Sequence, residues 1–395
     1  MTMTTTADAL HAQLLERRES PAEVVRQLLA HYRAAGMPVE LFEAMKMSTR
    51  LALGLPAVAS ADEDTLSPAI ERQLEDGLLQ GCREAGAMMI RQGRVLEGWM
   101  YLRPVGDRAM VRKLLADIPI DEENYDAMIQ VLVHEAIDVG RGYAAVIDQQ
   151  GTCNSITLYE QTISQFSLSD RQAAASVLLN HFYDELFSLV KQDVASRDAP
   201  AQKTPIADDE SLGQVVQTRP WILSEGGYHL DTTHLASTVR IAGVLTDPAD
   251  LQKASDLTAY GHRLHHQFQY PGEEPFVDFY PAYAAFYRVL LGQDVSDGLQ
   301  LFRRKAHNVD PLVAGTGAIE TYTELLARSG QPMQAIREMI ELMPADVPTQ
   351  HYFGSLLQHL GEVPEADRPA ARKLLQDFCL DRGDLLGFAA VCGKV

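Results

Sequence analysis

The chain reads as an all-α protein built from an array of antiparallel helix pairs. Three observations predict this. Apolar residues recur at helical spacing almost everywhere. Glycines suited to a left-handed cap close the periodic runs. Hydrophobic residues make up 46% of the 395 and charged residues 22%, the profile of a chain that buries a core.

Ser20-Pro21-Ala22-Glu23 carries a cap residue, Pro at the first helical position and Glu three after the cap, a capping-box start. Val24, Val25, Leu28 and Leu29 then supply a one-sided stripe that ends at Gly36-Met37-Pro38. A second stripe follows through Leu41, Phe42, Met45 and Leu51 until Gly54 and Pro56 stop it, which makes an αα-hairpin. The same punctuation returns at Gly93 before Val95–Leu102, Gly140 before Tyr143–Val146, Gly330 before Met333–Ile336, Gly361 before Val363–Ala366 and Gly383 before Leu385–Phe388.

In four of these turns a small residue lies five positions after the glycine: Gly93/Gly98, Gly140/Ala145, Gly330/Ala335 and Gly361/Ala366. This pattern resembles the turn of a tetratricopeptide repeat, where the glycine caps the first helix and the small residue lets the second approach closely. The best single copy runs from Glu324 through Gly330 to Pro344. The glycines recur at 57, 47, 31 and 22 residues, unlike the roughly 34-residue period of that family, and 140 to 330 holds no clear copy. The resemblance covers the two ends of the chain. It implies an α-solenoid and carries over no catalytic residue.

Lys and Arg number 34 against 54 Asp and Glu, a formal charge of −20 that repels phosphate backbones and anionic lipid surfaces. Nucleic acid and membrane are therefore not the expected partners. No apolar run approaches the ~20 residues of a membrane span. The Thr-rich start lacks the basic-then-apolar pattern of a signal peptide, so the expected location is cytoplasmic. Cys82, Cys153, Cys379 and Cys392 form no C-x-x-C pair and are expected as reduced, buried thiols.

Three regions follow. Residues 1–190 form a helical-repeat half. Residues 191–218, polar and Pro-bearing, read as an exposed connection. Residues 219–395 form a second helical half, with repeat-like helices over 312–395.

Within the second half, 221–287 gathers rings and imidazoles, including five of the twelve histidines. A Gly-containing loop there leads into a helix capped near Asp231 or Thr232. His229 and His234 are the candidate acid/base or ligand groups, with Asp231 to orient an imidazole. The helix start at 232–235 and Arg240 are placed to hold an anionic group. Trp221, Tyr228, Tyr260, Tyr270 and Tyr280 are the candidate rings around a ligand. His262 and His266 are four apart, a spacing that suits two imidazoles on one divalent transition metal, with Glu274 to complete the set. Against a metal, no HExxH, facial-triad or Cys/His knuckle spacing occurs.

Weaker candidates have plainer readings. His134 with Asp138, and His181 with Asp184 and Glu185, read as solvated helix faces. Cys153, in the stretch Gly151–Thr157, reads as a buried thiol in a capping turn rather than a nucleophile. Gly315-Thr316-Gly317 is too short for a phosphate loop.

Two functions suit this pattern. The first is a helical-repeat interaction protein that clasps a peptide or small molecule, anionic ones included, on a His- and aromatic-lined surface. The second is an enzyme that uses the histidine cluster on a repeat scaffold. The enzyme reading requires His229, His234 and one of His262, His265 and His266 to converge around one enclosed cavity.

Overall fold

The computed structural model describes residues 10–60, 66–196 and 206–393. Among the described residues the chain is helical throughout, with no strand and a single isolated bridge between Pro271 and Asp278. The all-α expectation holds. No described helix is long and apolar enough to cross a membrane. The chain divides into two compact units, Met1–Gln149 and Gln150–Val395.

In the first unit, α1 (Pro21–Ala35), α2 (Pro38–Ala52) and α3 (Pro68–Arg91) each carry Pro in the first turn, where its missing N–H removes no helical bond. Val95–Leu102 (α4) and Arg108–Ala116 (α5) follow. The capping box expected at Ser20 is not made, because the Ser20 side chain makes no cap bond and Glu23 is drawn instead to Arg26 and Arg17. Serine does cap α3, where Ser67 accepts from the Ile70 N–H.

The glycine closures are realised where the next helix starts at once. Gly36 and Gly93 take left-handed φ of 66° and 80°. In each case the following residue reaches back five positions, Met37 to Tyr32 and Arg94 to Met89, each at 3.0 Å. Beyond Gly93 the small residue acts as expected. A Cβ on Gly98 would stand 2.6 Å from Ile90 Cγ1 and 2.8 Å from the Gly86 carbonyl oxygen. A tight crossing of α3 and α4 results, over a core that contains Ile90, Val95, Trp99, Leu102 and Leu115.

Gly140 behaves otherwise. It lies in the first turn of the helix Val139–Gln161 and has no left-handed φ. The closure before it comes from a π-turn over Gln130–His134 and from Ala136 at φ 52°. His134 and Asp138 therefore do not share one helical face. Asp138 instead faces Arg112 at 3.9 Å and the Arg141 N–H at 3.4 Å.

Gly151, at φ 76°, interrupts the helix Val139–Gln161 one residue after the second unit begins. Cys153 just beyond it is exposed, as is Cys392, whereas Cys82 and Cys379 are buried and all four are free thiols. Burial of all four was expected; two lie on the outer faces of their helices.

The long helix α6 (Leu168–Ser196) buries Leu178, Leu179, Phe182 and Leu186. It packs against α8 (Thr232–Ile241) and α9 (Pro248–His262). Between them in sequence stands α7 (Leu212–Thr218), whose Ser211 and Gln214 make a reciprocal capping box. Residues 197–205 of the expected connection lie outside the described residues. Its final part is not exposed, since Leu212, Val215 and Val216 are buried in α7. Arg219 donates to both Glu210 oxygens, at 2.8 and 3.0 Å, and so ties the two ends of α7 together. That pair holds the Glu210 carboxyl down at about 2.

Next come α10 (Phe279–Leu290) and α11 (Val295–Asn308), then α12 (Gly317–Arg328) and α13 (Pro332–Leu342), each packed on its predecessor. Gly330 closes α12 at φ 84°, with Gln331 reaching back to Leu326, and Ala335 is fully buried. Here the expected turn forms in full. At the next position it does not: Gly361 sits inside α14 (Phe353–Glu362) without a left-handed φ, and Ala366 is exposed. Helices α15 (Arg368–Asp381) and α16 (Leu385–Cys392) are separated by Gly383 at φ 67°.

Candidate functional site

The aromatic richness of 276–287 goes into the core. Phe276 and Tyr283 stack at 3.9 Å with 7° between their planes, and around Phe276 Phe286 packs edge-on and Phe302 at a tilt. Tyr260, Phe279, Tyr280, Tyr283, Phe286 and Tyr287 are buried. Of the five rings expected to face a ligand, Tyr228 is exposed with its edge against Phe268, and Tyr270 leans on Phe279. Tyr280 alone among them lines the cavity described below.

His229 is mostly buried and engaged at both nitrogens. Its Nδ1 lies 2.8 Å from the Tyr260 hydroxyl and its Nε2 3.4 Å from Asp193 Oδ2. The Tyr260 oxygen also accepts the His229 backbone N–H at 3.0 Å, so the tyrosine's own proton is directed to Nδ1. Burial pushes the Tyr260 phenol well up, which keeps it a neutral donor. The loop before α8 is thereby pinned between α6 and α9.

Asp231 does not orient an imidazole. Its Oδ1 accepts from the Thr233 N–H at 2.8 Å, the Thr233 hydroxyl at 2.5 Å and the His234 N–H at 3.1 Å. The Thr233 hydroxyl foremost holds the Asp231 carboxyl below its usual range. Asp193 takes the place beside His229 that the sequence suggests for Asp231. Both devices expected to grip an anion are thus occupied. Asp231 covers N–H groups at the start of α8, and Arg240 pairs with Glu160 and donates to Ser237.

The set expected around a metal is dispersed. Helix α9 ends at His262, so His266, in the short turn His266–Phe268, does not share its face. His265 and His266 lie against each other with ring centroids 4.0 Å apart and planes tilted by 47°, both exposed. Glu274 pairs with Lys305 at 3.6 Å. Among the described residues no group of three or more His, Cys, Asp or Glu side chains is arranged to hold a metal ion.

A cavity of about 820 Å³ lies between α7, α9 and α10. Its floor is Gly213, Asp256, Thr258 and Tyr280, all buried. Its rim is Gln214, Gln217, Gln252, His262, Arg288 and Gln293, all exposed. Helical spacing puts five of the six α9 members, 252, 255, 256, 259 and 262, on one face, with Thr258 at its edge. The α10 members 280, 281, 284 and 288 do the same. His262 is the one histidine of the 221–287 cluster in this lining; His229 and His234 are not.

Asp256 anchors the floor. Its Oδ2 accepts from the Tyr183 hydroxyl at 3.1 Å and its Oδ1 from Gln252 Nε2 at 3.0 Å. The Tyr183 oxygen in turn accepts the Leu212 N–H at 3.1 Å, which fixes the start of α7. Two glycines make the room. A Cβ on Gly213 would stand 2.4 Å from Asp256 Oδ1, and one on Gly261 2.2 Å from Tyr280 Cε1.

Sequence reasoning missed Asp193, Asp256 and the glutamines. The signal available was the polar stripe at 252, 255, 256 and 262, although Asp250 and Lys253 put polar groups on another face of the same helix. No protein-family model, curated protein or solved structure matches the chain.

Proposed function

We propose that the chain is a binding protein of the tetratricopeptide-like kind, and that its second unit captures a polar ligand in the cavity between α7, α9 and α10. One observation carries the reading: a floor of buried polar groups under a rim of exposed amide side chains, in a volume within the roughly 300–1,000 Å³ typical of small-molecule sites. Solenoid stacking of antiparallel pairs is part of the same proposal. Its support is the left-handed glycine turns at Gly36, Gly93, Gly330 and Gly383, each followed at once by a new helix.

The binding reading is preferred over the enzyme reading because His229 has both nitrogens engaged within the protein. An acid or base needs a nitrogen within reach of substrate. A thermal-shift screen of short peptides and polar small molecules tests the proposal, run on the natural chain and on Ala284→Trp, which fills the cavity from α10. Hits are expected to vanish in the filled variant. Hits that persist there overturn the assignment of the site.

A further inference from the structure

Helix α16 reads Leu-Leu-Gly-Phe-Ala-Ala-Val-Cys and carries no charged, hydroxyl or amide side chain. Of its residues only Gly387 and Val391 are buried. Leu385 and Leu386 are 72% and 84% exposed. With Ala389, Ala390 and Gly393, also exposed, they form one stripe along the helix. Single exposed leucines are ordinary, but a continuous apolar outer face is not. A helical array keeps a polar face on its outer helix unless another layer covers it. We propose that a second copy of this chain covers this one, two α16 helices pairing antiparallel about a two-fold axis.

The stripe is graded in size, with large side chains at its start and small ones at its end. Antiparallel pairing seats Leu385 and Leu386 of each copy against Ala389 and Ala390 of the other, and the two-fold axis repeats the fit. Charge is graded in the same sense. Asp384 caps the start of α16, and exposed Asp381 lies just before it. At the other end Arg372 donates to the carbonyls of Val391 and Gly393, with exposed Lys373 beside it in sequence. Acidic ends therefore meet basic ends at both sides of the axis, and the two helix dipoles oppose each other. A parallel pair would set like against like.

The formal charge of −20 drives copies of the chain apart over the rest of the surface, so an uncharged face is where they can close. A basic partner would be drawn to the acidic surface instead. Beside Leu385 and Leu386 lies a recess of about 430 Å³, lined also by Val347 and Pro348, and the end of the second copy's α16 reaches it. An eight-residue helix is ~12 Å long, so the contact is at the small end of specific interfaces, with an expected Kd of about 1 to 100 μM.

Sedimentation velocity of the full chain over about 1 to 200 μM brackets that Kd and tests the pairing. A reversible monomer–dimer equilibrium is expected. Leu386→Lys and Ala389→Glu, both at exposed positions, are each expected to weaken it about tenfold or more by setting a charge against an apolar surface. Mixing the two variants is expected to restore association. In the antiparallel pair the introduced lysine faces the introduced glutamate on one side of the axis, and Leu386 meets Ala389 on the other. Parallel pairing, or association through another face, gives no such rescue. A natural chain that stays monomeric throughout leaves the face to a different protein and overturns the proposal. So does a dimer untouched by Leu386→Lys, or a mixture that stays monomeric.

Discussion

The α3–α4 crossing in the first unit and the α7–α9–α10 cavity in the second use one device for opposite ends. Each brings elements together over paired glycines. At the first, Gly86 and Gly98 let backbone meet backbone, with Leu102 and Ile90 filling what remains. At the second, Gly213 and Gly261 give their space to the side chains of Asp256 and Tyr280. A small residue on a helix therefore does not by itself announce a closed interface. What lies opposite decides: carbonyls and aliphatic carbons close the gap, whereas a carboxylate and a phenol leave polar surface beside it.

The largest expected effect separates the two. Gly98→Ala places a Cβ against the Gly86 carbonyl and the Ile90 N–H, both backbone atoms that cannot step aside. Overpacking of this kind costs about 3 kcal/mol. The two tryptophans, Trp99 and Trp221, fall one in each unit. Urea unfolding of a Trp221→Phe background should show the Trp99 transition moved to lower denaturant, with cavity ligands unaffected. A Trp99 transition that stays put breaks the comparison at its first term.

His359 sharpens the contrast from the other side. Like Asp256 it is a buried titratable group, but among the described residues neither of its ring nitrogens has a partner. Burial lowers its pKa from 6.5 to about 4. The sign follows from which state takes up the proton. Below pH 6.5 the unfolded chain protonates this imidazole while the folded chain does not, so stability falls as pH drops toward 4 and levels off below. Over that window the loss amounts to roughly 2–3 kcal/mol. His359→Leu should remove this part of the pH dependence in unfolding curves taken between pH 7 and 4, and an unchanged slope would contradict it.

Gly261→Ala is expected to act on the cavity. Its Cβ would sit inside the ring of Tyr280, which is a side chain and can swing away. Destabilisation of about 1–2 kcal/mol is therefore expected, less than at Gly98, together with loss of ligand binding. If binding were intact while stability fell, Tyr280 would be a packing residue only.

Much of this fold was legible in the sequence, and the site mostly was not. The turns at Gly36, Gly93, Gly330 and Gly383 follow from local chemistry, because a left-handed cap is fixed by neighbouring residues alone. The site depends on which faces of distant helices meet. Gln214 and Gln217, Asp256 and His262, and Tyr280 and Arg288 come from three separate helices, and no spacing links them. The histidine cluster misled for a related reason. His262 and His266 count as four apart only if the helix continues, and α9 stops at His262. The aromatic excess was equally ambiguous: rings at helical spacing serve a core as well as a groove, and here Phe276 stacks on Tyr283 while Phe286 meets both edge-on.

The smallest effects test the glycine rule where its two outcomes lie closest in sequence. Gly330 and Gly361 both precede a small residue by five positions, yet only Gly330 is left-handed. Its φ of 84° strains any residue with a Cβ, so Gly330→Ala should destabilise by about 1 kcal/mol. Gly361 is exposed and helical, where the missing Cβ only frees the unfolded chain. Gly361→Ala should therefore stabilise by about 0.5–1 kcal/mol. Opposite signs in chemical-denaturation midpoints would establish that the resemblance holds turn by turn, through backbone conformation. Equal signs would mean that α14 ends at Gly361 as α12 ends before Gly330, and that the two turns are true copies.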